Sequence, residues 1–177
     1  MTNLNLVLTT LMAVVLTWTL HEFAHWGVGE LLGNEMVMTL NACYPKSGLY
    51  AQPWHASLIS AAGPMATLIQ AIVFYFLLRG RADNSLFPFL LSCVYMRVVA
   101  GIMNFINLND EGRISKDLGL GTFALPIIIS AILFYLTYDV VKTKGYSTKF
   151  VGITLGMIMV FSSMVILTDQ MMKIRIL

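Results

Sequence analysis

The chain has 177 residues, 58% of them hydrophobic and 11% charged, with a formal net charge of +2. Soluble domains are usually about 25% charged, so this composition, with a mean hydropathy of +0.77, describes a polytopic membrane protein rather than a soluble enzyme. So small a net charge points to no nucleic-acid partner, and the two cysteines, Cys43 and Cys93, form no CxxC pair, so neither a disulfide framework nor a cysteine metal site is expected.

Crossing the hydrocarbon core takes about 20 apolar residues. Segments of that kind are expected near 4–32, 54–78, 86–108, 121–141 and 150–171. The first lacks a basic n-region and outruns a signal-peptide core, so it reads as a retained helix. Its second half reads TWTLHEFAHWGVGELLG and carries His21, Glu22 and His25. An ionisable side chain at the bilayer centre costs roughly 2.5 kcal/mol or more on insertion scales, so these three need compensation.

The connection NEMVMTLNACYPKSGLYAQP reads as a short hairpin at the membrane boundary. Its first strand falls near Met36–Leu40, its turn over Tyr44–Gly48 and its return strand over Leu49–Ala51. The free edge of such a hairpin can pair with an extended peptide. In the second segment, SAAGP offers small side chains for close helix approach, and Pro64 is expected to kink or break the helix. The third segment carries Arg97, for which Glu30 and Asp139 are candidate partners. It ends in NFINLNDEGR. The remaining connections are short, and no segment is left for a soluble domain. Lys and Arg divide equally between the two sides: Arg79, Arg81, Lys142, Lys144 and Lys149 against Lys46, Arg113, Lys116, Lys173 and Arg175. The positive-inside rule therefore sets no orientation. The fold expected is all-α, with about five transmembrane helices and a membrane-boundary β-hairpin after the first, in one domain over 1–177.

His21 and His25 are four residues apart, so on a helix they project from one face a turn apart. Two imidazoles at that spacing can hold one Zn²⁺, and the intervening Glu22 can act as general base on a water, which is the chemistry of HExxH. The alternative is a polar network between helices. A catalytic zinc site needs a third protein ligand. Segments one and three run in the same direction, which brings Asp110 to the membrane face that holds His21 and His25. Asp110 is the expected third ligand, with Glu111 and Asp117 as neighbours that read better as solvated loop carboxylates. Asn104 could donate to a developing oxyanion, or could simply bond another helix, and Asn107 and Asn109 could act similarly.

Three elements now stand in order: HEFAH in one membrane helix, SAAGP in the next, and NFINLNDEGR closing the third. Together, over roughly residues 10–120, they resemble the site-2 protease family of intramembrane zinc metalloproteases. That family usually shows Asn-x-x-Pro before a direct Asp-Gly pair. Here Asn107 stands where proline is expected, and Glu111 separates Asp110 from Gly112; a second register would use Asp117, followed by Leu118 and Gly119. The resemblance implies one zinc per chain bound by His21, His25 and Asp110, with Glu22 activating water and Asn104 assisting the scissile carbonyl. It implies a catalytic core over about 4–120, with additional helices over about 121–171. The implied partners are the lipid bilayer and a transmembrane protein substrate whose helix unwinds beside the hairpin. It places the site towards the cytosol of a cell membrane, with the amino terminus outside and the loops at 34–53 and 107–120 inside; the compact chain suits a prokaryote. Two other readings are an inactive scaffold that binds transmembrane helices and a zinc hydrolase acting on a lipid.

Overall fold

The computed structural model describes residues 3–80 and 83–177; residues 81 and 82, and with them Arg81 of the charge tally, lie outside the described residues. The described chain forms α1 (Asn3–Leu31), β1 (Met36–Met38), β2 (Cys43–Pro45), α2 (His55–Gly80), α3 (Phe87–Met103), α4 (Asp110–Asp117), α5 (Ala124–Lys144) and α6 (Thr148–Met172). A single 3₁₀ turn, Asn84–Leu86, leads into α3. Five of these helices are long and apolar enough to cross a membrane, consistent with a multi-pass membrane protein. The exception, α4, has eight residues and a polar sequence.

The long helices are apolar on both their inner and outer faces, as helices immersed in lipid are. On α1, Val14 and Trp18 turn inward while Leu8, Met12 and Phe23 remain exposed. Half of the apolar window of α3 is buried, against 17% in α6, so α3 is the central helix and α6 a peripheral one. Leu78, Phe87, Leu90, Leu133 and Ile158 interlock around α3. α1 packs on α2, α3 and α6, and α4 sits against α2 and α5. Pro64 does not break α2, which runs without interruption from His55 to Gly80.

The hairpin forms, in a different register from the one expected. Met36 pairs with Pro45, Val37 with Tyr44 and Met38 with Cys43. The turn therefore lies at Thr39–Ala42, closed by the Thr39 N–H donating to the Ala42 carbonyl at 2.8 Å. Its anchors come from distant helices. Asp169 of α6 accepts the Leu40 N–H at 3.0 Å and the Thr39 hydroxyl at 3.1 Å. On the other side, Trp18 Nε1 donates to Asn41 Oδ1 at 2.9 Å. The expected turn residues make a second turn beyond β2, where Gly48 at φ +78° donates to the Pro45 carbonyl.

α3 also stops short of the expected boundary at 108. Asn104 caps it: the side-chain amide donates to the carbonyls of Ala100 and Gly101, and Oδ1 accepts the Asn109 N–H at 2.7 Å. The chain folds back and begins α4 at Asp110. Gly112 is needed there, because a Cβ would run into the Asn104 amide.

Arg97 pairs with neither Glu30 nor Asp139. Its Nη1 meets Glu111 Oε1 at 2.9 Å, both side chains being almost fully buried. Glu111 is thus an interior ion-pair partner and not the solvated carboxylate expected. Glu30 instead accepts the Met36 N–H, and Asp139 accepts from Tyr75 and pairs with Arg79.

Asp169 is the long-range clamp on the hairpin turn. Asp169→Ala should lower stability by about 1–3 kcal/mol, the usual cost of leaving buried donors unpaired. The expected signs are a lower unfolding temperature and faster protease cleavage within residues 39–42; an equally protected turn would contradict this role.

Candidate metal centre

α1 presents His21 and His25 one turn apart on its inner face, opposite Gly63 of α2. A Cβ at residue 63 would run into both imidazoles, so only glycine lets the rings stand between the two helices. This is the particular work of SAAGP, which the sequence showed only as a packing segment.

α2 also orients the rings. His25 Nδ1 lies 2.5 Å from the Ile59 carbonyl, which can only accept, so this nitrogen carries the proton. His21 Nδ1 lies 3.2 Å from the Thr67 hydroxyl, whose own proton goes to the Gly63 carbonyl at 3.1 Å. Thr67 can thus accept from His21, the arrangement that leaves His21 Nε2 free. Arg97 Nη2 stands 3.4 Å from the same nitrogen. Ile59, Gly63 and Thr67 are four residues apart and share one face of α2, a spacing that could have revealed this support in the sequence.

In the tautomer with both protons on Nδ1, each Nε2 presents a lone pair. The two Nε2 atoms are 3.1 Å apart. Asp110 Oδ2, from the first turn of α4, lies 3.4 Å from one and 3.3 Å from the other. Two lone pairs and one anion thus converge on a single point, where they repel unless a cation joins them. Ligand atoms about 2.0–2.1 Å from a tetrahedral centre stand about 3.3–3.4 Å apart, and the observed edges of 3.1, 3.3 and 3.4 Å fit. His21, His25 and Asp110 can therefore hold a metal ion.

α4 is fixed in place by two arginines. Arg113 donates to the Ser60 hydroxyl of α2 and lies 3.9 Å from Asp110 Oδ1. Arg97 holds Glu111, the residue after Asp110. Neither arginine was singled out from the sequence as a support for the ligand. Asp117 stays outside the cluster, accepting from Ser57 at the surface at 2.6 Å.

The cluster opens into a cavity of about 650 Å³ between α1, α3 and the hairpin. Glu22 lines it, as do Tyr44, Tyr50 and Asn107. Asn104 does not, and its amide is committed to the cap of α3. Cys43 also lines the cavity, where burial pushes its thiol up to about 12, and it lies outside the His21, His25 and Asp110 group.

Family models, curated proteins and solved structures were all compared with the chain, and none matches it.

The Gly63 contact has a direct test. Gly63→Ala should weaken metal binding about 10–100-fold, the range typical of disturbed ligand support, in a competition titration with Co²⁺ as the probe. Gly101→Ala, whose methyl would meet only Pro126 at 3.5 Å, should bind as the parent does. Equal affinity in the two variants would contradict the geometry.

Proposed function

We propose that the protein is an intramembrane zinc metalloprotease, hydrolysing peptide bonds in or near transmembrane segments of other membrane proteins. One observation carries the reading: an acid, Glu22, lines the same cavity as a His-His-Asp ligand set, and the cavity lies among helices long enough to span a bilayer. Two imidazoles and a carboxylate, with room for a further ligand, form a donor set suited to catalytic zinc. The order HEFAH, SAAGP and NFINLNDEGR supports the same conclusion through its resemblance to site-2 proteases. On that resemblance the cavity faces the cytosol.

Zinc held by His21, His25 and Asp110 would supply positive charge that polarises a carbonyl and acidifies a water. Glu22 accepts the proton of the attacking water and returns it to the leaving amine. Thr67 and Ile59 keep both imidazoles in the tautomer that leaves Nε2 free. Asn107 takes the part expected of Asn104. It is exposed in the cavity, and its amide can donate to the oxygen on which charge develops. A peptide bond reaches these groups only in an extended stretch, because a helix keeps its carbonyls in its own hydrogen bonds.

Glu22→Gln should reduce cleavage of a reconstituted transmembrane substrate by about 10²–10⁴-fold, the usual contribution of a general base, with bound zinc retained. Asn107→Ala should lower kcat by about 10²–10³-fold, as loss of an oxyanion donor does, with zinc again retained. Full activity in the Glu22 variant would end the proposal. Zinc-dependent turnover of a lipid but not of a peptide would replace it with the lipid-hydrolase reading.

A further inference from the structure

β1 has two edges. One pairs with β2. The other presents the N–H groups of Met36 and Met38 and the Met38 carbonyl, a row that serves as a template for any extended chain. Here the protein fills that row itself. Met36 N–H donates to Glu30 Oε1 at 2.8 Å. Met38 N–H donates to the Leu177 carbonyl at 3.0 Å, and the Met38 carbonyl accepts from the amides of Ile176 at 2.8 Å and Leu177 at 3.3 Å. The chain arrives there by a sharp reversal after α6. Lys173 stands at φ 45°, the only non-glycine residue among those described with positive φ, and its N–H donates to the Asp169 carbonyl.

This segment is held by its backbone and by partly buried apolar side chains. Ile174, Ile176 and Leu177 remain 42%, 42% and 40% exposed, whereas all three residues of β1 are buried. An incoming strand could remake the same backbone bonds, and apolar side chains on it could take the places of the partly buried Ile174, Ile176 and Leu177. The position also matters. The hairpin continues from Met38 into Asn41, Cys43 and Tyr44, which line the metal cavity, as do Ile166 and Gln170 of α6. A strand on the outer edge of β1 is thus tied to the same short hairpin that walls the cavity.

We propose that the outer edge of β1 is a strand-receiving surface, that residues 174–177 are its resident occupant, and that its partner is an extended apolar stretch of polypeptide that displaces them. This rests on the proteolytic reading for the fate of the bound strand, and not for its binding. The device makes substrate capture an exchange of one strand for another.

The test uses the full chain in detergent, with Glu22→Gln present so that a bound peptide is not cut. Ile176→Pro removes one of the donors, and Lys173→Pro forbids the positive φ that turns the segment back. The probe is a fluorescein-labelled decapeptide of alternating valine and threonine. Both substitutions should tighten its binding at least about fivefold, the gain expected if the competent state rises from roughly a fifth to nearly all of the population. Hydrogen exchange at residues 36–38 should accelerate in both variants and slow again when the peptide is added. Unchanged or weaker binding in both, or undiminished protection at 36–38, would overturn the proposal. Tighter peptide binding with no cleavage by the Glu22-containing chain would support the strand-receiving edge and remove the protease reading. Cleavage unaffected by both substitutions, with peptide affinity also unchanged, would do the reverse.

Discussion

Three acceptor atoms face one another across 3.1–3.4 Å inside the helix bundle: Nε2 of His21, Nε2 of His25 and Oδ2 of Asp110. Left alone, two lone pairs and an anion would push apart. Holding them together therefore needs rigid support, and the surrounding residues supply it. Gly63 makes the room, Ile59 and Thr67 fix the rings, and Arg97, Arg113 and Glu111 fix the helix that brings Asp110. A cation of tetrahedral preference is the simplest relief for such a group.

The membrane setting sharpens the same constraint. Polar side chains at bilayer depth are costly unless they pair or face a wet cavity. Here several have a specific partner or place. Arg97 and Glu111 neutralise each other in the interior. Gln70 donates to Thr17 between α1 and α2. His21, Glu22 and His25 line the cavity. Breaking one member of the Arg97–Glu111 pair would leave a buried charge without compensation, which is far worse than never having built the pair. The pair thus ties the position of Asp110 to the integrity of α3.

Much of this was legible in the sequence, and most of what was not has a common cause. Five apolar runs identified the helices because lipid imposes one simple rule on length and hydropathy. HEFAH placed two imidazoles that could hold a metal ion, with Glu22 beside them, because a four-residue spacing is local to one helix. Asp110 followed from helix direction alone. Most of the failures lie where a distant residue decides. The hairpin turn sits at Thr39–Ala42 because Asp169, on the last helix, accepts its backbone and hydroxyl hydrogens. Glu111 is buried because Arg97 draws it in. Asn104 reads as a catalytic amide in one dimension, yet its side chain is consumed in capping α3 and turning the chain towards Asp110. It contributes to the site by positioning the ligand, while Asn107 and Asn109 reach the cavity. Strand register and ion pairing are long-range decisions, whereas ligand spacing on a helix and the Asn104 cap are short-range ones.

The central claim is that His21, His25 and Asp110 bind one zinc ion together. X-ray absorption at the zinc edge, on protein purified without added metal, tests it most directly. The account predicts about one zinc per chain, with four light ligand atoms about 2.0–2.1 Å away and the outer-shell scattering of two imidazoles. A zinc-free protein, or a six-coordinate spectrum without imidazole scattering, would contradict it.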